Sequence, residues 1–159
     1  MKKTIFIIIL GLFGQPVIAD DCDLNQNTRV EKNIELQKKY PGSFLVDKNF
    51  ILVVPVKEGE VRINIGGCVH YGVTIELKTK NASKYKEEKE FMNKILHLAK
   101  TYSQGMIKYE KLKKVIKDRN WSQPKSPSKF YFFNYDGSPF EVYETNEGLY
   151  TIIGFSSYS

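Results

Sequence analysis

The sequence predicts an α+β fold: an antiparallel sheet of about five to six strands, with a long helical segment packed on one face and a short N-terminal helix. Three observations predict it. From Val61 to Leu77 every odd position except Gly67 is apolar, the period of a strand with one buried face. From Phe91 to Met106 apolar residues recur at helical spacing, and from Phe130 to Phe155 aromatic-rich runs are separated by turn-forming residues.

The N-terminus comes first. Residues Met1–Ala19 carry Lys2 and Lys3, an apolar run from Ile5 to Phe13, and a small residue at the end of Val17-Ile18-Ala19. This is the pattern of a cleavable signal peptide, so the expected organisation is a leader over 1–19 and a single α+β domain over 20–159. The apolar run falls short of the roughly 20 residues needed to cross a bilayer, and no stable membrane insertion is expected after cleavage. Cys22 follows Asp20-Asp21 rather than a small residue, which argues against a lipid anchor. The expected location is the periplasm, or outside the cell.

Without Lys2 and Lys3 the formal charge falls from +6 to +4, mildly basic and spread along the chain. That balance, together with the export signal, argues against nucleic acid as partner. The chain has two cysteines, Cys22 and Cys68, and an oxidising compartment makes their pairing the expectation. The bridge would close a loop of about 47 residues, contributing on the order of 4 kcal/mol in the chain-entropy account.

Asn27 or Thr28 caps the first helix, which runs to Lys39 and stops at Tyr40-Pro41-Gly42. Strands are expected over Phe44–Val46 and Phe50–Val56, with Pro55 at a sheet edge because it has no amide hydrogen to donate. In the alternating segment, a three-residue loop at Gly66-Gly67-Cys68 would pair Ile65 with Val69 and Ile63 with Tyr71. Ser83 caps a long helix whose stripe is Phe91, Met92, Ile95, Leu98, Ala99, Tyr102 and Met106. A second stripe (Tyr109, Leu112, Ile116) is rotated from the first, which places a break near Gln104-Gly105. The loop at Ser122–Lys129 leads into strands over Phe130–Tyr135, Phe140–Glu144 and Leu149–Phe155, with turns at Asp136-Gly137 and Thr145–Gly148. In these strands Tyr131, Phe133, Phe140, Val142, Ile153 and Phe155 share the core face. Phe132, Tyr143, Tyr150 and Ile152 lie on the other, either beneath the N-terminal helix or as an exposed patch. A helix lying across an antiparallel sheet resembles the arrangement of cystatin-like folds, in shape alone.

The residues that could carry chemistry are few. Cys68 and His70 have the residue types of a thiolate–imidazole pair, but a Cys68 bonded to Cys22 has no free thiolate, which leaves a small cysteine hydrolase as the weakest reading. Cys22, Cys68, His70 and His97 match no zinc spacing, so no metal and no cofactor are expected. Glu141 and Glu144 point to opposite sides of their strand, and Glu58 and Glu60 flank Gly59; neither pair is arranged for acid–base catalysis. The basic run from Lys108 to Arg119 reads as a solvated helix face. What remains is the glycine-rich segment 66–72, a binding edge, and the tyrosines, which suit protein partners and sugar rings alike. The expected partner-binding residues are Asn64, His70 and Tyr71, with Tyr143 and Tyr150 as a second patch. The expected function is a non-enzymatic periplasmic binding protein that inhibits or neutralises a protein partner in the cell envelope, an immunity protein or an inhibitor of a cell-wall-degrading enzyme or toxin. The alternative is a module that binds envelope glycan or peptidoglycan.

Overall fold

The computed structural model describes residues 23–48, 50–66, 72–80, 87–119, 121–122 and 130–158. The expected leader and both cysteines lie outside them, as do His70, Tyr71 and Ser83. The fold is α+β: helix α1 (Asp23–Lys39), strands β1 (Phe44–Val46), β2 (Ile51–Val56), β3 (Gly59–Gly66) and β4 (Gly72–Thr79), helices α2 (Glu88–Tyr102) and α3 (Tyr109–Lys117), then strands β5 (Trp121–Ser122), β6 (Phe130–Tyr135), β7 (Ser138–Glu147) and β8 (Tyr150–Tyr158). The eight strands form one antiparallel sheet in the order β1-β2-β3-β4-β8-β7-β6-β5. It is larger than the five to six strands expected: β4 and β8 join both groups of strands into one sheet, and β5, two residues long, carries no period that would show it.

Alternation sets the two faces. Leu52, Val54, Val61, Ile63, Ile65, Ile75 and Leu77 turn one way and meet Phe91, Ile95 and Leu98 of α2, Leu112 of α3 and Leu36 of α1 in a single core. The C-terminal strands extend that core with the six residues assigned to it from sequence, Tyr131, Phe133, Phe140, Val142, Ile153 and Phe155, all buried. The helices lie on this face: α1 over β1–β3, α2 over β4 and β8, α3 over β6. Because α1 packs over the first three strands, it does not cover the second aromatic set, as one reading of the sequence held.

Several boundaries differ from expectation for identifiable reasons. Helix α1 begins at Asp23, before the expected Asn27 or Thr28 cap. All six residues expected on the α2 stripe through Tyr102 are buried, whereas Met106 is exposed. The helix ends before Met106, where Gln104 and Gly105 take φ of 52° and 84°, the break read from the sequence. Pro55 pairs with Glu60 of β3, and its other side is open because β1 reaches only Val53. The β3–β4 hairpin is longer than expected: Ile65 pairs with Val73 and Ile63 with Ile75, not with Val69 and Tyr71, so 67–71 form the connection. The β7–β8 turn is also shorter and later, since Thr145, Asn146 and Glu147 belong to β7 and only Gly148 and Leu149 lie between the strands.

The start of α3 is tied to the β6–β7 turn. The Tyr135 hydroxyl accepts from the Lys108 amide at 2.7 Å, and the Asp136 carboxylate takes Lys111 and, at 3.0 Å, Lys108. The hydrogen bonds from Lys111 and Lys108 hold the Asp136 carboxyl below its ordinary range. A depressed folded-state value means that these ion pairs stabilise the fold above the ordinary carboxylate range and are lost as pH falls through the folded value. An NMR titration of the Asp136 carboxyl is expected to show a midpoint below that of a free aspartate; an unshifted midpoint would mean that the ammonium groups do not hold it. No helix among the described residues is long and apolar enough to cross a membrane.

Candidate interaction surface

Residues one step out of phase with the core emerge on the face of the sheet opposite the helices. In one row across the middle strands, Arg62 pairs with Glu76, Glu76 with Gly154, and Gly154 with Tyr143. No side chain rises at Gly154, where a Cβ would stand 2.8 Å from the Ile75 carbonyl oxygen and 2.9 Å from Glu76 Cγ. The Tyr143 hydroxyl reaches over this gap and donates to Glu76 Oε1 at 2.6 Å. In the next row the hydroxyls of Thr74 and Ser156 lie 2.9 Å apart. Arg62 is held by Glu60, with Nε and a terminal nitrogen at 2.9 and 2.8 Å from the same carboxylate oxygen. The outcome is a set of polar groups bonded to one another, with Ser156 and the neighbouring Ile152 buried among them.

Of the residues singled out from sequence, Asn64, Tyr143 and Tyr150 share this face, as their strand parity requires. They do not converge. Three strand spacings separate Asn64 from Tyr143, roughly 14 Å, and four residues along β8 separate the level of Tyr143 from Tyr150, about 13 Å. Asn64 is also engaged locally, since its side-chain oxygen accepts from Arg29 of α1 at 3.3 Å, while Arg29 Nε donates to the Ile65 carbonyl at 2.7 Å and the guanidinium lies 4.6 Å from the Phe50 ring centre. Tyr150 is partly exposed near the end of the sheet, its ring within 4.8 Å of the Lys78 ammonium and 5.1 Å of that of Lys80. Lys78 is bonded at 2.6 Å to Glu147, and that hydrogen bond lowers the Glu147 carboxyl below its ordinary value. His70 and Tyr71 sit in the 67–71 connection, outside the described residues.

Glu58 is paired with Lys94 at 2.8 Å, Glu141 lies on the open face, and Glu144 points to the opposite side of β7. His97 is exposed on α2. Among the described residues no group of three His, Cys, Asp or Glu side chains is placed to hold a metal ion. Sequence reasoning missed Glu76, Lys78 and Ser156. Their polarity at alternate positions marked them as surface, but only the β4–β8 register brings them beside the tyrosines. Comparison with protein-family models, with curated proteins and with solved structures finds no match.

Proposed function

We propose that this is an exported periplasmic protein that binds and neutralises a protein partner in the cell envelope, as an immunity protein or an inhibitor of a cell-wall-degrading enzyme or toxin does. One observation carries the reading. Among the described residues the three helices lie on one face of the eight-stranded sheet, and the other face carries polar groups bonded to one another across its central strands. Such a surface is preorganised, so little side-chain freedom is lost when a partner docks. Tyrosine at its centre suits the core of a protein interface.

The proposal includes a Cys22–Cys68 bridge formed after export. Cys22 directly precedes α1 and Cys68 follows β3 by two residues, and the Arg29 bonds to Ile65 and Asn64 bring those two segments to the same end of the sheet. Resemblance to cystatin-like shapes extends to a helix lying across an antiparallel sheet and adds nothing to the reading.

Affinity capture from envelope extract tests the proposal, with protein purified without reductant as bait. The bait is expected to carry no free thiol and to retain one protein through a salt wash. Tyr143→Ala, which removes the ring and its bond to Glu76, is expected to weaken that retention roughly tenfold, equivalent to about 1.4 kcal/mol. Retention of no protein, or sedimentation of the bait with peptidoglycan instead, would overturn the reading, the second outcome in favour of a glycan-binding module.

A further inference from the structure

The β7–β8 hairpin breaks a local rule without any gain to the fold. Its turn has two residues, with Gly148 at φ 59° and Leu149 at negative φ, between the paired Glu147 and Tyr150. Positive φ at the first central position alone is the type II′ pattern, whose second position is commonly filled by Asn, Asp or Ser. Here it holds leucine, 85% exposed, against 36–47% for the other exposed large apolar side chains. An isolated exposed leucine is ordinary. One held out at a rigid tip is not.

Three ties fix that tip. The Thr151 hydroxyl donates to the Asn146 side-chain oxygen at 3.0 Å, Lys78 bonds Glu147, and the ammonium groups of Lys78 and Lys80 flank the Tyr150 ring. Lys80 has no carboxylate partner among the described residues. The tip therefore presents one apolar anchor beside an aromatic ring, with positive charge at its base.

We infer that the β7–β8 hairpin is the element that enters the partner, with Leu149 seated in an apolar pocket of a protein whose rim is acidic toward Lys80. This rests on the binding reading above and adds to its contacts the hairpin at the end of the sheet. A lipid surface is the poorer occupant, because a single side chain of this size gives too little apolar area to hold a protein at a bilayer.

The test places p-benzoylphenylalanine at position 149 of the full chain in cells, with the same residue at Glu141 on the open face and at Lys113 on α3 for comparison. A discrete protein adduct at 149 and none at 113 is expected. Leu149→Asn, which suits the turn, is expected to unfold at the wild-type temperature and to bind that protein, once purified, roughly tenfold to a hundredfold more weakly. Adducts at 141 but not at 149, or undiminished binding by Leu149→Asn, would overturn the hairpin inference and leave the binding reading standing. No adduct at any of the three positions would overturn both. Sedimentation with phosphatidylglycerol vesicles that is lost in Leu149→Asn would overturn the inference in favour of a lipid contact.

Discussion

Replacing Phe140 with alanine is expected to destabilise the protein by about 3–5 kcal/mol, a large share of the roughly 5–15 kcal/mol that holds a domain together. Phe140 is fully buried in β7 and lies at the centre of an aromatic group: its ring stacks on Phe155 at 5.1 Å, meets Phe133 edge-on at 5.9 Å and lies 5.6 Å from Tyr135. Alanine would leave a void bordered by three rings held in place by their own strands, so collapse to fill it is restricted. Tyr135 also receives the Lys108 amide at the head of α3, and a shift of its ring would loosen that helix. Denaturant unfolding measures the effect, with Phe140→Leu expected to lose well under half as much. A loss below about 1 kcal/mol for the alanine variant would mean that the ring does not hold the second half of the sheet to its helices.

Gly59→Ala is expected to cost about 2–4 kcal/mol, from backbone conflict rather than lost burial. Gly59 opens β3 at φ 149°, opposite Thr79 at the end of β4, and a Cβ there would stand 2.0 Å from the Lys78 carbonyl oxygen. No rotamer change relieves this, since the obstructing atom belongs to the neighbouring backbone. The β3–β4 ladder must part at that end, and with it the bond from the Thr79 hydroxyl to the Glu58 carbonyl at 2.7 Å. Amide exchange at Lys78 and Thr79 should therefore accelerate along with the drop in unfolding midpoint. Wild-type exchange at both amides would show that the strands accommodate a methyl group without opening.

The core face of the sheet was legible because alternation depends only on parity. The β3–β4 pairing was expected with Ile65 opposite Val69 and is found opposite Val73, a shift of four residues. An even shift leaves every side chain on the same face, so the buried set survived an incorrect register. The α2 stripe was legible for the analogous reason at helical period, up to the residue where the helix stops. The strand over Phe44–Val46 was legible, whereas the two residues of β5 carry no period, and the full width of the sheet was therefore hidden. The arrangement on the open face was hidden by distance along the chain. Tyr143 and Glu76 are 67 residues apart, and nothing local to either names the other. Leu149 was read as the first residue of a strand, because its turn carries only one of the two usual turn-forming residues.

The order of the strands also governs how the molecule comes together. The sheet consists of two meanders joined along β4 and β8, so the seam at its centre closes between segments that begin 78 residues apart at Gly72 and Tyr150. Contacts at such separation are slow to form, because a long loop must be ordered before they give anything back. A chain emerging with its N-terminus first would complete β1 to β4 and then leave the β4 ladder unsatisfied until β8 arrives. During that interval the future middle of the sheet is a bare rim, open to pairing with any extended segment nearby.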